Sequence, residues 1–105
     1  MNTMEKIVEG VFEVIDSFVI RQRGEFYLIG NLKEGKVNKD WFLNIPFTKS
    51  LALTVRIAAI EDLEMTNDST IYKLLIVNGD TEFLNFLLAN NIANEYLDIT
   101  ITGKD

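Results

Sequence analysis

Two groups of acidic side chains stand close enough in the sequence to act together: Glu61, Asp62 and Glu64, and Asp80 with Glu82. Paired carboxylates can divide acid and base roles, but only across a pocket that holds them at a fixed separation. Both groups lie in polar stretches rich in turn formers, where solvated carboxylates are the ordinary outcome. Asp62, Asn67 and Asp68 hint at calcium, yet the ordered ligand spacing of a calcium loop, with its central glycine and closing glutamate, is absent. The chain has no cysteine and no histidine. Disulfides and thiolate metal sites are therefore excluded, and the usual general base and commonest metal ligand are missing. The residues thus predict a non-enzymatic chain without catalytic residues, metal or cofactor.

The basic residues follow a different pattern. Net charge is −6 over 105 residues, but Arg21, Arg23, Lys33, Lys36 and Lys39 crowd the middle of the chain, while Lys73 and Lys104 alone face nine carboxylates beyond residue 56. With Phe26, Tyr27, Trp41 and Phe42 nearby, the basic segment could contact phosphates and stack bases. The overall charge opposes approach to RNA and favours a basic protein. The acidic set Glu61, Asp62, Glu64, Asp80 and Glu82 is therefore the predicted partner-binding surface, and the basic set is the alternative for RNA.

These residues must be positioned by strands. Alternation of apolar and polar residues predicts strands over Val11–Ile20, Glu25–Leu32, from Val37 or Lys39 to Ile45, Ser50–Glu61, Thr70–Val77 and Tyr96–Thr102. In the first, Phe12, Val14, Phe18 and Ile20 share a side with Asp16, which, if it points inward, needs backbone N–H groups or Arg23 as partners. Arg21–Gly24, Lys33–Lys36 and Asp62–Ser69 read as turns or loops. Gly24 suits a positive φ, and Gly30 within a strand suggests a bulge or a close backbone approach. Thr70–Val77 is apolar on both faces, so it should be buried on both. Phe83, Phe86, Leu87 and Asn90 at helical spacing, with Asp80 or Thr81 as cap, predict a helix over 82–90. Trp41 and Phe42 should point to opposite faces. Together these elements predict one mainly-β domain over 1–105, a six-stranded barrel closed by a short helix near the C-terminus. Residues 1–10 would be a lead-in and 103–105 a frayed end. The first ten residues carry no signal-peptide pattern, and no apolar run approaches the roughly 20 residues that span a bilayer, so a cytoplasmic protein without membrane contact is expected.

The series Asp16-x-Phe18-x-Ile20 through Arg23-Gly24, then Gly30 and Gly35, then Asp40 and Leu43-Asn44-Ile45, resembles the β-barrel domain II of translation GTPases of the elongation factor Tu type. Val55–Glu61 and the segment from Gly79 to Leu97 continue the resemblance over most of the chain. No Gly-x-x-x-x-Gly-Lys-Ser/Thr loop is present, so nucleotide hydrolysis is not expected. The family's barrel is a platform for RNA ends, other domains and partner proteins. The resemblance therefore implies a binding role, either a protein-binding module such as an inhibitor or toxin-neutralising immunity protein, or an RNA-contacting accessory of translation.

Overall fold

The computed structural model describes residues 7–46, 52–64, 71–90, 92 and 95–102. The elements in chain order are β1 (Val8–Ile20), a 3-10 turn over Arg21–Arg23, β2 (Glu25–Gly35), β3 (Phe42–Pro46), β4 (Ala52–Arg56), β5 (Ala59–Glu64), β6 (Ile71–Asn78), α1 (Thr81–Ala89) and β7 (Tyr96–Thr100). All seven strands join one sheet in the order β4-β3-β7-β1-β2-β6-β5, and every pairing is antiparallel. The chain is therefore mainly β with one short helix near its C-terminus, as the alternation predicts.

The strand count differs from expectation at one place. The segment expected as a single strand over 50–61 is broken at Ile57 and Ala58 into β4 and β5, the two ends of the sheet. Ile57 N–H donates to Trp41 O at 2.8 Å, and Ala58 N–H donates to Ile76 O at 2.7 Å. The chain thus passes from the β3 side to the β6 side within one dipeptide. The three Cα–Cα steps from Arg56 to Ala59 span at most about 11 Å, so the sheet must curl round until its ends approach. The ring is not completed by strand pairing, because β4 and β5 pair only with β3 and β6 respectively.

Other boundaries move for a related reason. β1 begins at Val8, inside the expected lead-in, and pairs Gly10 with Gly35 and Val11 with Glu34. That pairing keeps Lys33, Glu34 and Gly35 in β2 rather than in a turn. Asp62, Leu63 and Glu64, expected in a loop, pair with Lys73, Tyr72 and Ile71 and so extend β5. The rest of that expected loop, the expected tail at 103–105 and residues 1–6 lie outside the described residues.

The core fills the inside of the curl. Phe12, Val14, Phe26, Leu28, Leu43, Ile45, Ile57, Leu75, Leu97 and Ile99 have no exposed surface. α1 covers one end of the curl, sending Leu84 and Leu87 into this cluster with Phe83 packed against it. Asp80 caps the helix by accepting from Phe83 N–H at 2.8 Å. Gly24 ends the 3-10 turn at φ +64°, a region that L side chains avoid. Gly30 is required by closeness instead, since a Cβ there would fall on the Glu13 carbonyl and beside the Phe12 ring. No helix among the described residues is long and apolar enough to cross a membrane.

Candidate protein-docking face

Side chains alternate along a strand, so the residues between core positions must point out of the curl. On β2 and β6 those residues are not polar. Phe26, Leu28, Leu75 and Val77 face the core, while Tyr27, Ile29, Leu74 and Ile76 lie on the opposite face. The pairings align them in two rows: Phe18, Tyr27, Ile76 and Ala59, then Asp16, Ile29, Leu74 and Glu61. Tyr27 and Ile76 are 6% and 7% exposed without belonging to the core cluster. The expectation that β6 is buried on both faces therefore holds in part, because Tyr72 and Leu74 are only half-buried.

Phe18 reaches this face through a bulge. Val14 pairs with Gly30 and Asp16 with Ile29, which leaves Ile15 as an extra residue and reverses the alternation beyond it. Phe18, expected beside Phe12 and Val14, instead stands outside at 39% exposure. Its ring stacks on that of Tyr27, with centroids 4.7 Å apart and planes 3° from parallel. The bulge also turns Asp16 to solvent, away from the side that unbroken alternation gives Phe12 and Val14. Asp16 accepts a hydrogen bond from Ser17 N–H at 2.8 Å, and Arg23 pairs with Glu25 at 3.1 Å rather than with Asp16.

Glu25 sits two residues from Tyr27 on the same side of β2 and accepts the hydrogen bond of the Tyr27 hydroxyl. That bond, with burial and the negative charges of Glu25 and Glu61, raises the Tyr27 pKa above 10.0, and Arg23 opposes the rise. The face is thus an apolar strip with Asp16, Glu25 and Glu61 along its margin and Arg23 bound to one of them.

The predicted acidic set is divided by the fold. Glu61 belongs to this face. Asp62 and Glu64 alternate with Leu63, and Asp62 is held by Lys73 at 2.9 Å. Asp80 is engaged as the cap of α1, and Glu82 lies exposed in its first turn. The basic set is divided as well. Arg21 and Arg23 precede β2, Lys33 lies near its other end, and Lys36 and Lys39 lie beyond it, a separation of roughly 30 Å along the strand. Arg21 donates to Asn85 on α1, and Lys33 lies 3.7 Å from Glu13. Trp41 and Phe42 point to opposite faces as expected: both are half-buried, but Trp41 packs against the core, whereas Phe42 lies outside it with the Arg56 guanidinium 5.1 Å above its ring.

Two open clefts flank the β4–β5 break. One, of about 360 Å³, lies between Thr54–Arg56, Val77–Asn78 and Phe83. The other, of about 480 Å³, lies between Val37–Lys39 and Ala58–Ile60, and its charged pair Asp62–Lys73 is already joined. Both are seams of the unclosed sheet. Among the described residues no three carboxylates gather as a metal site, and Asn67 and Asp68 lie outside those residues. No known family, curated protein or solved structure matches the chain.

Proposed function

We propose that this chain is a non-enzymatic protein-binding module that docks a basic protein on the outer face of β1, β2, β6 and β5. The observation that supports this reading is the apolar outer face on which Phe18, Ile29 and Leu74 keep exposed surface above the buried Tyr27 and Ile76, bordered by Asp16, Glu25 and Glu61. Apolar area at the centre supplies affinity, and charge at the rim supplies approach and partner choice. A small inhibitor or toxin-neutralising immunity protein is the role that suits such a module. The resemblance to a translation-factor barrel agrees with a docking platform.

Parallel captures from the native host with the parent and with a Phe18→Ser, Glu61→Lys variant test the proposal. A basic protein retained by the parent and lost by the folded variant is the expected result. Equal retention by both rejects this face.

The alternative, an RNA-contacting accessory of translation, rests on Lys36 and Lys39 near Trp41 and the Arg56–Phe42 pair. A salt-sensitive RNA shift abolished by neutralising Arg21, Arg23, Lys33, Lys36 and Lys39 would replace the first reading with this one.

A further inference from the structure

The β5 end of the sheet has a free edge. β5 pairs with β6 on one side, and no strand among the described residues pairs with it on the other. On that second side the lead-in to β3 follows the chain only as far as Ile57, whose N–H donates to Trp41 O and whose C=O accepts from Asp40 N–H, both at 2.8 Å. There the chain turns off the edge at Asp40, which among the described residues is the one non-glycine with positive φ, at +72°. The cleft of about 480 Å³ between Val37–Lys39 and Ala58–Ile60 marks the parting. Beyond it the edge runs along the six residues Ala59–Glu64. Successive residues of a strand send their N–H and C=O groups to opposite sides, so half of these backbone groups point away from β6.

A row of backbone donors and acceptors is met by another extended chain, and the side chains beside it decide which one. β5 places Glu61 on the outer face and Glu64 on the opposite one, with the half-buried Leu63 between. Both glutamates are exposed, and neither is ion-paired with a described residue, whereas Asp62 is already joined to Lys73. Lys39 stands at the other, Ala58–Ile60 end of the edge. A second copy of β5 would set these carboxylates against their own kind, and like charges opposed across a strand pair are destabilising. Resting on the binding-module reading, we propose that the free edge of β5 takes an extended segment of the basic partner as an added strand. Lysines or arginines three residues apart meet Glu61 and Glu64, and a β-branched residue lies opposite Leu63.

The test titrates isotope-labelled protein with three synthetic peptides centred on Lys-Val-Thr-Lys-Val. The first is unmodified, the second is methylated on every backbone amide nitrogen, and the third has glutamate for lysine. With the first, saturable amide shifts over Ala59–Glu64 are expected, together with slowed hydrogen exchange at alternate residues of that strand. Side-chain contact alone would not slow those amides. The methylated and glutamate peptides should leave exchange unchanged. Glu64→Lys, an exposed position off the Phe18–Glu61 face, should weaken the first peptide by about fivefold, the scale of one favourable cross-strand pair lost and one like pair gained. Equal binding of the methylated peptide overturns strand addition, and equal binding of the glutamate peptide overturns the charge assignment. Unperturbed Ala59–Glu64 amides overturn the proposal outright. Edge amides that slow in the protein alone as its concentration rises would give the edge to a second copy instead. The binding-module reading fails separately, by equal partner capture with the parent and the Phe18→Ser, Glu61→Lys variant, whatever the peptides do at the edge.

Discussion

Tyr27 is the residue at which the outward face can be read spectroscopically. Its hydroxyl donates to Glu25, and its ring stacks under Phe18. Because its pKa in the folded state is raised, folded protein holds a proton that unfolded protein gives up above pH 10.0. The corresponding stability is fully present below that pH and is lost as pH rises through the higher folded value. An ultraviolet titration should show Tyr27 ionising late, and Glu25→Gln should bring it down. A late tyrosine that persists in Glu25→Gln would show that burial alone holds the proton. Gly24 is the second such residue. Gly24→Val forces a β-branched side chain to φ +64°, with a cost of about 1–2 kcal/mol expected in denaturant unfolding. A variant as stable as the parent would show that the turn can relax.

At the scale of elements, α1 was legible in extent but not wholly in face, because Leu84 and Leu87 are buried whereas Phe86, expected in the apolar stripe, is exposed. Asp80, a polar cap before an apolar stripe, fixed its start, and the helix occupies Thr81–Ala89 against an expected 82–90. Asp80→Ala should cost about 1 kcal/mol, because Phe83 N–H then loses its acceptor at a helix start, and thermal melts would show it. The strands were legible in existence but not in phase. Nothing in Val14-Ile15-Asp16 announces that Ile15 will be passed over by β2, since a bulge is decided by the partner's register and not by local composition. That single extra residue moved Phe18 and Asp16 from inside to outside. The break at Ile57–Ala58 was hidden for a similar reason. Both halves keep strand alternation, and only the change of partner from β3 to β6 separates them.

For the whole molecule, charge along the chain was a poor guide to charge in space. The carboxylates expected to act as one surface are spread between a cap, an ion pair and two strand sides, whereas Asp16, Glu25 and Glu61, scattered over 46 positions, meet around one strip. The signal that pointed to this strip was the two-sided apolar character of 70–77. With a net charge of −6, association with a basic partner should also slow as salt rises, because steering acts over a Debye length of about 10 Å at 0.1 M. A stopped-flow series in salt would show it, and a salt-independent rate would remove the role given to the carboxylates. The most direct measurement is calorimetric titration of the captured partner into the parent and into Phe18→Ser, with circular dichroism confirming that both are folded. A negative heat-capacity change for the parent, with affinity at least about tenfold lower in the variant, is what burial of the Phe18–Tyr27 face predicts. Unchanged affinity in Phe18→Ser, together with loss on neutralising Lys33, Lys36 and Lys39, would contradict it.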